Sequence, residues 1–165
     1  MTGIINKIPA RSKIVNSLVS VIQVVERECS GQSQNVNSTT LAKAQTGGSD
    51  AFYVTIDNVG ASNYVYVTMT FVTFSATTAN AVGSSAGMFR GSTKICEFIQ
   101  YANYSRQNGV SGTRELGSLQ TIQYMDKSPG TGTNTYHLGL RSDGTASAVL
   151  VPPGLSVFTA MEIQV

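Results

Sequence analysis

The chain has 165 residues and a formal net charge of +2, and it is 41% hydrophobic but only 12% charged, about half the usual charged share. Ser, Thr, Asn and Gly supply 63 of the 165 residues, a mixture that excludes a long helical bundle or coiled coil. Dense runs of Val, Ile, Tyr, Phe and Thr exclude disorder for most of the chain. The balance of 11 Lys and Arg against 9 Asp and Glu gives no basic face for nucleic acid.

The first apolar stretch is interrupted by Lys7, Pro9, Arg11 and Lys13, so it lacks the unbroken core of a secretory signal. No run approaches the roughly 18 apolar residues that cross a bilayer. A complete, soluble chain made in the cytoplasm is the expectation, with no membrane partner. Residues 1–35 read as an N-terminal extended arm and 36–165 as one β domain. Within the arm, Ile14, Leu18, Val21 and Val25 are spaced as on one helical face, yet the Val and Ile content over 14–26 favours a strand. Both remain open, with the balance towards a strand. Ile14, Leu18, Val21, Ile22 and Val25 are the candidate anchor residues.

After the polar linker Ser30–Ser38, short strands and turn signals alternate to the end. Strands are expected over Thr39–Ala44, Ala51–Ile56 and Asn63–Phe74. In the last, Tyr64, Tyr66, Thr68, Thr70, Val72 and Phe74 share one face, and Val65, Val67, Met69, Phe71 and Thr73 share the other. Both faces are bulky, so one should meet the core and the other a neighbouring sheet or subunit. Ser75–Gly87 and Asn103–Gly112 read as exposed loops. Between them, Met88–Arg90 and Thr93–Tyr101 flank the tight turn Gly91-Ser92. Further strands are expected over Arg114–Tyr124, where Leu119 breaks the alternation, and over Thr133–Arg141, Ala146–Val151 and Leu155–Val165. Asp143-Gly144 supplies a hairpin turn. Eight to ten such strands with no helix–strand alternation make an all-β sandwich or barrel.

No constellation of catalytic residues stands out. His137, the single histidine, lies in a strand, and the chain contains no Gly-x-Ser-x-Gly elbow, so a structural or interface histidine is expected. The acids are scattered, with Asp57, Asp126 and Asp143 placed in turns. The spacing of Cys29 and Cys96 supports neither a zinc site nor a disulfide framework, and two reduced thiols are expected. No enzyme activity, metal or cofactor is expected. The aromatic row Tyr64, Tyr66, Phe71 and Phe74 suits a core or subunit interface. The competing use is glycan stacking, which would here lack the tryptophan that suits it best.

The series "TKICEF", "QTIQYMDKSPGTGTNTYHLGLRS", "SAVLVPPG" and "LSVFTAMEIQV" resembles a loose group of bacteriophage virion proteins, the jelly-roll heads and decoration proteins whose fold is similar to tumour necrosis factor. Pro129-Gly130-Thr131, Thr133–Leu138 and Met161-Glu162-Ile163 carry the resemblance, which covers about residues 39–165. It implies an antiparallel jelly-roll sandwich that forms a homotrimer, with the N-terminal section connecting it to the major capsid protein or other virion proteins. The residues expected in the trimer or core face are Tyr64, Tyr66, Phe71, Phe74, Tyr136, Leu138, Phe158, Met161 and Ile163. A capsid decoration or cement role follows, with the receptor- or glycan-binding head of a tail or head fibre as the alternative. In that alternative a host surface glycan would bind at loops Thr77–Gly87 and Asn103–Gly112.

Overall fold

A computed structural model describes residues 20–77, 81–98, 103–106, 114–142 and 147–165. Among these residues there is no helix. The strands are β1 (Ser20–Cys29), β2 (Ala42–Lys43), β3 (Gln45–Thr46), β4 (Ser49–Asp50), β5 (Tyr53–Val59), β6 (Tyr64–Thr77), β7 (Ala81–Arg90), β8 (Thr93–Glu97), β9 (Asn103–Arg106), β10 (Arg114–Asp126), β11 (Gly132–Ser142), β12 (Ser147–Leu150) and β13 (Ser156–Gln164). One sheet runs β1-β13-β6-β10 with β12 also on β6. The second runs β2-β11-β7-β8, with β5 also on β11 and β9 also on β7, and β3 and β4 form a small hairpin.

β12 and β13 lie end to end along one edge of β6, at Phe74–Thr77 and Tyr64–Thr70. Pro152 and Pro153 separate them because proline cannot donate to a ladder. β5 and β2 share one edge of β11 in the same way, and β8 and β9 share one edge of β7. Counting each shared edge once leaves eight positions in chain order, and the sheets read 1-8-3-6 and 2-7-4-5. That interleaving of early and late strands is the double Greek key of a jelly roll.

The core fills the space between the sheets. β6 contributes Val65, Val67, Met69 and Phe71, β13 contributes Phe158 and Ala160, and β10 contributes Ile122. Facing them are Val54 and Ile56 of β5, Met88 of β7, and Tyr136, Leu138 and Leu140 of β11. One end of the core is polar. There Asp126 accepts from the Tyr136 hydroxyl (3.0 Å), from Arg90 (2.7 Å) and from the Ser128 amide (3.1 Å). Burial, and then the Asp126 carboxylate, push the Tyr136 phenol far above its ordinary value.

Several expectations change. β1 pairs with β13 from Ser20–Gln164 to Cys29–Ser156, so the sandwich takes in residues from the span expected as an arm, and 20–26 is strand. Ile14 and Leu18 lie outside the described residues. Ser75–Gly87 is largely strand rather than loop, because β6 runs on to Thr77 and β7 begins at Ala81. Its last residue, Gly87, serves close approach. A Cβ on Gly87 would stand 2.5 Å from the Cys96 carbonyl and 2.7 Å from Leu41, and one on Gly139, directly opposite, 2.8 Å from Phe89 and 3.0 Å from Leu41. Asn103–Arg106 is likewise β9, paired to β7. Asp57 and Asp126 belong to strands rather than turns, and Asp143 is outside the described residues. The Gly91-Ser92 turn joins β7 to β8 as expected, with Gly91 at a φ of +55°.

Candidate assembly surface

The face of the first sheet that points away from the core is built by strand alternation, so its composition follows from register. Val21, Ile163 and Tyr64 lie side by side across β1, β13 and β6, and Val24, Met161, Tyr66 and Met125 form the next row, extending onto β10. Thr159 and Thr68 follow, then Val157, Thr70 and Thr121, the last two with hydroxyls 3.0 Å apart. Val72 with Leu119, and Leu150 with Phe74, complete the far end. Val21 and Val24 are each 54% exposed and Leu119 71%. The charged residues on this face, Glu26, Glu28 and Glu115, sit on the two outermost strands.

The residues expected in one trimer or core face divide between two faces. Phe71, Tyr136, Leu138 and Phe158 are fully buried in the core. Tyr64, Tyr66, Phe74, Met161 and Ile163 are partly exposed on the outer face. Of the anchor residues, Val21 is outward, Val25 packs against the core, and Ile22 is the extra residue of a β-bulge between Val21 and Gln23. Val24, Met125 and Leu119 also belong to the outer face. Leu119 carries its own signal, since it breaks the alternation of β10 by facing outwards.

The bulge rephases β1 so that Gln23, rather than Ile22, turns inward opposite Glu162. Glu162 is 2% exposed. It accepts from the Gly60 amide (2.8 Å), Asn63 Nδ2 (2.6 Å) and Gln23 Nε2 (2.7 Å), and the same Gln23 amide donates to the Asp57 carbonyl (2.6 Å). Burial pushes this carboxyl up, but the hydrogen bonds from Asn63, Gly60 and Gln23 together outweigh it and hold Glu162 below the ordinary glutamate range. The carboxylate thus clips the first strand to the β5–β6 turn. Its signal in the sequence is parity, because Phe158, Ala160 and Glu162 share the inward face of one strand.

The outer face of the second sheet is different in kind. Glu97 pairs with Lys94 (2.7 Å) and Arg141 (2.9 Å), and Asp50 with Lys43 (2.9 Å). The Arg27 guanidinium lies 3.4 Å over the Tyr53 ring, and the His137 ring packs 5.6 Å from the same ring. Burial, followed by Lys43, lowers the His137 pKa against the opposing pull of Asp50, so the imidazole is neutral near pH 7. Hydrogen bonds from Gln45 and Lys43 hold Asp50 below the ordinary range. Leu41 fills the recess over Gly87 and Gly139. Cys29 and Cys96 are free, and burial raises both thiols. Among the described residues no group of three or more His, Cys, Asp or Glu is placed to hold a metal ion.

No family model matches the chain, and no curated protein does. Among solved structures it is similar to dimeric latent PorU from Porphyromonas gingivalis, with a TM-score of 0.43 and 9% identity over 87% of this chain and 13% of that one. It is similar to the carbohydrate-binding module CBM36 in complex with calcium and xylotriose, with a TM-score of 0.36 and 13% identity over 81% and 97% of the two chains. It is also similar to the VP2 subviral particle of infectious bursal disease virus, with a TM-score of 0.28 and 12% identity over 87% and 42%. Likenesses this distant add nothing to the fold assignment, which stands on the strand order.

Proposed function

We propose that the chain is a non-enzymatic structural protein of a bacteriophage virion, made in the host cytoplasm, which trimerises and decorates or cements the shell. The observation that carries this reading is the outer face of the first sheet, where the uncharged Tyr64, Tyr66, Met125, Met161 and Ile163 meet in adjoining rows. Obligate interfaces resemble a core cut in half, and these rows have that composition while lying on the surface of a single chain. Residues 1–19, ahead of β1, take the part of the anchor on the major capsid protein. β1 is part of the sandwich, so this reading confines the anchor to residues ahead of it. Most charged groups of the second sheet's outer face are spent on one another, which fits a scaffold better than a reactive site.

The alternative, a glycan-binding head, rests on a hollow of about 230 Å³ bordered by Gln34, Asn35, Asn37, Ser38, Lys43 and Gln45. Carboxamides and a hydroxyl suit sugar hydroxyls, but no aromatic ring lines it for stacking. The two readings separate in one experiment, in which intact chain and a chain lacking residues 1–19 are offered to shells stripped of accessory proteins and to host cells. The decoration reading expects shell binding that is lost with residues 1–19. Binding to cells, unaffected by the deletion and without binding to shells, would replace it with the glycan reading.

A further inference from the structure

Each sheet of a sandwich has two edges, and an uncovered edge strand is a template for another chain. Three of the four edges here are protected. β1 carries a bulge together with Glu26, Arg27 and Glu28. At the β5 edge, the Asp57 and Tyr53 carbonyls accept from Gln23 and from the Cys29 thiol. The β8–β9 edge is made of strands of 5 and 4 residues, the first carrying Lys94 and Glu97. Among the described residues, β10 has none of these devices between Leu116 and Met125. It runs 13 residues in unbroken register with β6, contains no proline, and has no charged side chain from Leu116 to Met125. A hollow of about 500 Å³ runs beside it, between Phe98 and Ser118–Gln123.

We propose that β10 pairs antiparallel with β10 of a second copy of this chain, about a two-fold axis at Thr121. Charge fixes the partner and the register. Glu115 and Lys127 are exposed at opposite ends of the strand, have no ion-pair partner among the described residues, and each stand six positions from Thr121. Antiparallel pairing about Thr121 therefore sets Glu115 of each copy beside Lys127 of the other, Gly117 beside the bulkier Met125, and Leu119 beside Gln123. Moving the axis to lie between Gln120 and Thr121 would oppose the outward Glu115 to the inward Asp126, which strand alternation forbids. Moving it to Gln120 opposes Glu115 to Met125 and leaves Glu115 without an ion pair, while the Asp126 carboxylate is already taken by Arg90 and Tyr136. A two-fold contact is self-complementary, so one strand supplies both halves. This pairing deepens the self-association reading but uses the sheet edge rather than its apolar face, and it would join trimers in pairs.

The test is the mass by light scattering of the Tyr66→Lys chain at high protein concentration, which isolates the edge contact from the trimer contact. The expected mass is about 35 kDa, twice the 17.4 kDa of the chain. Glu115→Lys or Lys127→Glu alone should return it to 17.4 kDa, and the two reversals together should restore the dimer. As a second measurement, Thr121→Cys in the otherwise unaltered chain should cross-link to itself on mild oxidation, because the axis brings the two copies of that position together. A mass of 17.4 kDa at every concentration, a dimer indifferent to both reversals, or no cross-link at position 121 would overturn the pairing while leaving the trimer reading untouched. Conversely, an unaltered chain that pairs through β10 but never exceeds a dimer would overturn the trimer and keep the pairing.

Discussion

The two outer faces of this sandwich are made by the same alternation, yet one completes itself and the other does not. On the second sheet, Lys94 and Arg141 both pair with Glu97, Lys43 pairs with Asp50, Arg27 covers Tyr53, and Leu41 sinks over two glycines. On the first sheet, tyrosine, methionine, valine and isoleucine side chains stand in rows with threonines between them. A surface that has spent its charges internally needs no partner, whereas an apolar row in water gains about 25 cal/mol for each Å² it hides. Under the proposed function, this difference assigns self-association to the first sheet's outer face and none to the second's.

A charge placed on each face tests that division most severely. Tyr66→Lys puts an ammonium between Met161 and Met125, and burying an unpaired charge costs several kcal/mol. The chain should stay folded by circular dichroism while its mass drops to 17.4 kDa. Thr55→Lys, on the outer face of β5 beside Thr135, should leave the mass unchanged.

Loss of the Glu162 clip should come next in size. Glu162→Ala strands the Gly60 amide, the Asn63 amide and one N–H of Gln23. At roughly 1.5 kcal/mol for each of these hydrogen bonds to a charged group, the cost is about 4.5 kcal/mol, or roughly 10–15 °C in Tm for a chain of this length. Because the folded Glu162 lies below the ordinary glutamate range, its contribution is complete above that range and is lost as pH falls through the folded value. Glu162→Gln should therefore flatten the acid limb of stability against pH, measured by urea unfolding at a series of pH values.

Two smaller changes probe the self-completed face. Gly139→Val drives side-chain carbons into Leu41 and Phe89 and should cost about 2 kcal/mol in urea unfolding. Arg27→Ala removes the cation over Tyr53 and should cost about 1 kcal/mol. Neither should alter the mass, and a change of assembly state with either variant would break the division between the faces.

Much of this architecture is legible in the sequence, and the parts that are not have particular causes. The two faces of β6 follow from its alternation, but both are bulky, so which one is core is decided only by the sheet that packs against it. The period of residues 14–26 stays ambiguous because a bulge at Ile22 shifts the phase of β1 midway, turning Gln23 inward and Val24 outward. The Ala, Gly and Ser run before Met88 has the composition of a loop, yet it is strand, and at Gly87 smallness reflects the close approach of Leu41 and the Cys96 carbonyl. Glu162 sits in an apolar strand on the core parity, and only its long-range partners Gly60, Asn63 and Gln23 make that position tolerable.

The central claim, that the apolar face of the first sheet holds copies of this chain together, is tested most directly by light scattering over a wide dilution series. The predicted mass is about 52 kDa, three times the 17.4 kDa of the chain, persisting to low concentration as an obligate assembly does, with pairing of trimers only at the concentrated end. A stable monomer of 17.4 kDa across the series would contradict it.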